Sequence, residues 1–130
     1  MMVGVIWFVQ IVHYPLFGGV GREGFILYSE RHSSRTTLIV GPLMLVEITT
    51  GVLLLFSRPD GVTFLAALVG MVLISGIWVS TALLQVPEHR ILGGGFDVRA
   101  HRRLVGGNWL RTVAWTLRGI LVVWMILQVM

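Results

Sequence analysis

The sequence predicts an all-α protein, a four-helix transmembrane bundle with short interfacial helices on the cytoplasmic side. Three observations lead there. Hydrophobic residues make up 55% of the 130 positions and charged residues only 12%, against roughly 25% charged in a soluble domain. Four stretches reach, or nearly reach, the roughly 17–25 apolar residues that carry a helix across a bilayer. The ten basic residues, every one an arginine, concentrate in two of the connections. A disordered tail, a repeat solenoid and an ordinary soluble enzyme are excluded by this balance. The absence of cysteine excludes disulfides and thiolate metal sites.

The four spans fall at about residues 1–17, 36–57, 62–86 and 109–130, so the whole of 1–130 reads as a single integral membrane domain. The first span is apolar apart from Gln10 and His13. It lacks a basic leading segment and a small-residue cleavage site, so it reads as a retained helix rather than a signal peptide. Tyr14-Pro15 and Gly18-Gly19 mark its end. The second span carries one charge, Glu47, and a proline, Pro42, that predicts a kink. Pro59-Asp60-Gly61 is a tight turn into the third span, which Pro87 closes. Asn108 is placed to cap the fourth.

The connections of about 15–35 and 87–108 lie on one side. They hold Arg22, Arg31, Arg35, Arg90, Arg99, Arg102 and Arg103, with Arg111 at the edge; the other side has only Arg58. The positive-inside rule makes the arginine-rich side cytoplasmic. The expectation is a bacterial inner-membrane protein with both termini periplasmic. Its partners are then the lipid bilayer and anionic headgroups, with other membrane subunits or a second copy of the chain also compatible. Nucleic acid is not expected, because no aromatic-interleaved basic platform accompanies the arginines.

Neither connection reads as loose linker. Phe25, Tyr28 and His32 share one face of a short helix, the two aromatics turned toward the bundle. In the second connection Asp97 and His101 are spaced for a carboxylate–imidazole pair on a helix. The run Gly19-Val20-Gly21-Arg22-Glu23-Gly24 matches a dinucleotide-binding pattern. It follows a membrane helix rather than a strand, so it is rejected.

Two constellations could carry chemistry. All four histidines lie near the arginine-rich side, and His13, His32 and His89 are candidates to ligate a transition metal or haem. No pair with metal-site spacing occurs on one helix, and interfacial imidazoles bonded to backbone or lipid are the plainer reading. Glu47 lies about eleven residues into its span, roughly 16 Å deep at 1.5 Å per residue. Burying that charge costs about 2.5–3.5 kcal/mol without a partner. Arg118 lies at a similar depth in the fourth span, so a buried Glu47–Arg118 pair is expected, either fixing helix register or handling protons. The serines and threonines of spans two and three read as packing groups.

Three short motifs stand out beside these: His13-Tyr14-Pro15, the stretch Leu84-Gln85-Val86-Pro87-Glu88-His89, and Asn108-Trp109-Leu110-Arg111-Thr112 with Trp115 and Arg118 beyond it. The chain resembles, in these motifs and in its four-span layout, a group of small bacterial membrane proteins described as anthrone-oxygenase-like or hypothetical. The resemblance implies a small-molecule pocket near the cytoplasmic leaflet lined by His13, His89, Asn108 and Arg111. Two functions follow. One is a membrane protein with a His/Arg-lined polar pocket that binds a metal, haem or quinone-like ligand in redox chemistry. The other is a non-catalytic accessory subunit of a larger membrane complex. No inverted repeat favours transport.

Overall fold

The computed structural model describes all 130 residues, and every regular element is helical. Four helices are long and apolar enough to cross a membrane: α1 (Met2–Gly19), α2 (Arg22–Phe56), α3 (Phe64–Gly93) and α4 (Val98–Val129). Short turns join them, so neighbours in sequence run antiparallel. Gly61 and Gly95 supply the positive φ angles these turns need, at 92° and 137°. A Cβ on Gly61 would also lie 2.5 Å from the backbone oxygen of Gln128, so glycine lets this turn seat against the end of α4.

The outward faces explain the solvent this fold requires. Leu38, Ile39, Leu45, Val46 and Leu53 of α2, with Leu65, Val72 and Val79 of α3, are all exposed. Water would not tolerate a continuous apolar surface of this kind, whereas hydrocarbon matches it. The architecture is that of a multi-pass membrane protein.

The interior packs at three levels. At the arginine-rich end, Tyr14, Phe17, Phe25, Leu92, Ala100 and Leu104 form one cluster. Met2, Ile6, Met44, Ile77 and Trp115 form the middle one. Val62, Ala66 and Met125 close the far end. Met2 thus lies at mid-bundle, and beyond it only α2, α3 and α4 continue.

The helices exceed the predicted spans in one direction. The segments expected as separate interfacial helices are the first turns of α2 and α4, and residues 87–93 continue α3. Hydropathy marks where the apolar face stops, but the hydrogen-bond ladder continues through polar residues. At 35 residues, α2 is about 52 Å long, well beyond the ~30 Å hydrocarbon core. It passes through Pro42 as one helix. Asn108 is not a cap but lies fully buried in the middle of α4. The cap of α4 is Asp97, whose Oδ1 accepts the Ala100 N–H at 2.6 Å. The expected Asp97–His101 pair is therefore replaced: His101 Nε2 instead bonds the carbonyl of Tyr14 at 2.8 Å.

Two helices contain a wide π turn. In α1 it covers Val9–His13, where the Tyr14 N–H bonds back to the Val9 carbonyl; in α3 it covers Thr81–Gln85, where the Val86 N–H bonds back to Thr81. A proline follows each, Pro15 and Pro87. A proline ring collides with the carbonyl four residues earlier, here Ile11 and Leu83. Both carbonyls lie at the centre of a π turn, and widening the turn moves each aside. Both prolines are thus housed inside helices that sequence rules would end at those points.

Candidate functional site

The π turns place the polar groups of the site. Gln10 and His13 stand in the turn of α1, with Tyr14 just after it. Gln85 stands in the turn of α3, with His89 one helical turn on. An extra residue per turn changes which face each later side chain presents. Gln10, Tyr14 and Gln85, polar side chains within apolar stretches, are thereby all turned inward and buried.

Three imidazoles meet. His13 Nε2 is 2.7 Å from His32 Nδ1, and Thr36 Oγ1 is 3.1 Å from the same Nδ1. One protonation pattern satisfies both contacts: a bare His32 Nδ1 accepts from the His13 N–H and from the Thr36 hydroxyl. The His13 and His32 rings stack at 4.4 Å between centroids, and His32 and His89 stack at 5.4 Å. Phe17, fully buried, stands edge-on to His13, His32 and Tyr28 at 5.3, 5.0 and 5.2 Å. The Tyr14 hydroxyl links the cluster to α3. It lies 3.0 Å from His89 Nε2 and donates to Gln85 Oε1 at 3.4 Å. His89 Nδ1 is buried without a partner.

A second group adjoins this one. Asn108 Nδ2 donates to Gln10 Oε1 at 3.0 Å, and Arg111 Nη1 donates to Asn108 Oδ1 at 3.2 Å. The Thr112 hydroxyl reaches Gln10 Oε1 at 3.3 Å, and Gln10 Nε2 donates to the Val105 carbonyl at 3.3 Å. Arg111 is buried, and its Nε has no partner.

The open cavity lies on the other side of the histidines. It holds about 490 Å³, and its walls include His13, His32, Tyr28, Thr36, Arg31 and Arg35. This corrects the pocket expected around His13, His89, Asn108 and Arg111. Asn108 and Arg111 are sealed between helices, and the arginines that face the cavity are Arg31 and Arg35. Those two follow from the periodicity of α2: on a continuous helix, residues 28, 31, 32 and 35 share a face. Treating residues 25–32 as a separate short helix hides that stripe.

The expected ligation of haem or a transition metal does not fit this arrangement. Two imidazole nitrogens on one zinc-like ion each sit at about 2.0–2.1 Å from it, which keeps them more than about 3 Å apart. Here the nitrogens of His13 and His32 bond each other directly. No three His, Asp or Glu side chains are arranged to hold an ion. His13, His32 and His89 are gathered as stacked rings, without the geometry of an ion site.

Glu47 and Arg118 meet elsewhere, in the middle of the bundle. Arg118 Nε and Nη2 donate to Glu47 Oε2 at 3.1 and 2.9 Å, and Nη1 donates to the Gly70 carbonyl at 3.3 Å. A Cβ on Gly70 would stand 2.9 Å from Arg118 Nη1, so a larger residue there would push the guanidinium aside.

No protein-family model matches this chain, and no curated protein or solved structure matches it either.

Proposed function

We propose that the protein resides in a bacterial inner membrane, with the arginine-rich end in the cytoplasm and the opposite end, toward which both termini point, in the periplasm. There it binds a quinone-like ligand against the His13–His32 pair and exchanges protons with it. The observation that carries this reading is the 2.7 Å imidazole–imidazole bond on the wall of a cavity flanked by Arg31 and Arg35. A quinone that an external electron donor reduces takes up protons at its oxygens. The imidazole pair, when it carries one extra proton, can give it to such an oxygen, return to its neutral form and take up another from water. The guanidinium groups favour the anionic form of the ligand.

Depth supports the same assignment. With Glu47 near mid-membrane, His32 lies fifteen residues away along α2, about 22 Å at 1.5 Å per residue. That exceeds the ~15 Å half-thickness of the hydrocarbon. The cavity is then at headgroup level, where a lipid-soluble ring with polar oxygens comes to rest and water supplies protons. The arginine bias supports this orientation.

The test is calorimetric titration of the purified protein in lipid nanodiscs with a short-chain alkyl benzoquinone. His32→Ala and the double variant Arg31→Ala/Arg35→Ala are each expected to bind at least about tenfold more weakly, a loss of about 1.4 kcal/mol. Equal affinity in all three proteins overturns the reading. Extraction from native membranes in mild detergent adds a second readout. Reproducible co-purification with a larger complex and no quinone binding would point to an accessory subunit instead.

A further inference from the structure

The cavity beside the histidines has a second polar wall. Tyr28, Arg31 and Arg35 line it from one face of α2, at i, i+3 and i+7. Both arginines are exposed, and neither forms an ion pair. The hydrogen bonds on this wall join His13, His32 and Thr36, which leaves the donors of Tyr28, Arg31 and Arg35 uncommitted. Of the other charges in this stretch, Arg22, Glu23 and Glu30, none is on the wall. Toward mid-membrane the same face turns apolar: Leu38, Pro42 and Leu45, at three, seven and ten residues beyond Arg35, are all exposed.

We infer that Arg31 and Arg35, with the Tyr28 hydroxyl, hold the phosphodiester of an anionic membrane phospholipid, one of whose acyl chains lies along Leu38, Pro42 and Leu45. The donors suit the diester, whose two unbridged oxygens share one negative charge that guanidinium forks grip well. A zwitterionic lipid would bring its own ammonium to a wall that already carries two positive charges. Depth and the apolar stripe favour a lipid over a free phosphate. With Glu47 near mid-membrane, Arg35 and Arg31 stand about 18 and about 24 Å away along α2. The headgroup layer runs from about 15 to about 22 Å, so the two side chains reach into it. The diester cancels one of the two positive charges and leaves the other for an anionic ring in the same cavity. Lipid and quinone are therefore compatible occupants, and this inference does not rest on the quinone reading.

The experiment is native mass spectrometry of the full chain, delipidated in detergent micelles and titrated with phosphatidylglycerol or with phosphatidylcholine of matched acyl chains. The first phosphatidylglycerol is expected to bind at least about tenfold more tightly than phosphatidylcholine. Arg31→Ala/Arg35→Ala is expected to erase that preference. Arg99→Ala/Arg102→Ala removes the same charge from exposed positions at the same end, outside the cavity, and is expected to keep it. A large molar excess of inorganic phosphate is expected to leave the lipid in place. Equal affinity for the two lipids overturns the inference, and so does an equal loss in both double variants, which would show diffuse attraction rather than a site. Displacement by inorganic phosphate assigns the arginines to a free anion and overturns the lipid assignment.

Discussion

The hydroxyl of Tyr14 stands 3.0 Å from Nε2 of His89, across 75 positions of sequence. Each of these residues follows a π turn, and each lies within two positions of the proline that the turn accommodates. The contact therefore joins the two irregular points of the bundle, and it is there that the polar side chains collect.

Tyr14→Phe removes this bond and the donation to Gln85 while preserving the ring that packs on Phe17. A single hydrogen bond contributes about 0.5–1.5 kcal/mol net, and losing a partner inside costs about 1–3 kcal/mol. The variant is expected to fold, to melt lower in detergent by that order, and to bind the benzoquinone several-fold more weakly. A melting curve and a titration indistinguishable from the parent would show that the hydroxyl has no such role.

Pro15→Ala and Pro87→Ala test the reason for the wide turns. Without the ring, the carbonyls of Ile11 and Leu83 lose the clash that displaces them, and a regular α turn becomes accessible. The expected result is a protein of unchanged helix content by circular dichroism but weakened ligand affinity, since Gln10, His13 and Tyr14, or Gln85 and His89, no longer hold their inward positions. Retention of full affinity in both variants would show that the turns are fixed by packing alone.

Glu47→Ala and Arg118→Met should differ in severity. Arg118 is buried while Glu47 is partly exposed, so removing the carboxylate strands the more enclosed charge. The exposed part of Glu47 faces hydrocarbon, so about 2.5–3.5 kcal/mol or more is expected for Glu47→Ala and less for Arg118→Met, whose stranded carboxylate can neutralise by taking up a proton. The double variant is expected to be more stable than Glu47→Ala alone. Chemical unfolding in mixed micelles checks the order, and a double variant less stable than both singles would contradict it.

Asp97→Ala and Glu88→Gln form a contrasting pair at the surface. The first removes a helix cap and is expected to cost about 1 kcal/mol. The second weakens the bidentate Arg103–Glu88 contact, at 2.6 and 3.1 Å, which lies on an exposed arginine and is expected to contribute less than the cap. Differential scanning calorimetry at two salt concentrations separates them, because only the second effect should shrink with added salt.

The crossings themselves are legible because a bilayer imposes a coarse demand, apolar length, and the sequence meets it four times. The meeting of Glu47 with Arg118 is legible for a related reason: two opposite charges at one depth have no other means of compensation. The histidines are legible only as inhabitants of one end. What brings His13 against His32 is the α1 turn and the unbroken α2, and hydropathy registers neither. Tyr14 and Gln85 sit where hydropathy sees only the end of a span, although a glutamine a few residues upstream of a proline in each stretch is a visible sign. Helical spacing pairs Asp97 with His101, but spacing carries no information on whether a residue sits inside a helix or caps it.

A π turn is a helix with one residue too many, so α1 and α3 each hold a reserve that α2 lacks. Removing Ile11 or Leu83 would leave the flanking segments still in phase with their neighbours, although the proline clash that the wide turn relieves would return. Removing Ile48 from α2 would swing everything after it by about 100°. Tolerance to single-codon deletion is thereby distributed unevenly along the chain, and the places that accept a shorter backbone are those where the chemistry has most to lose.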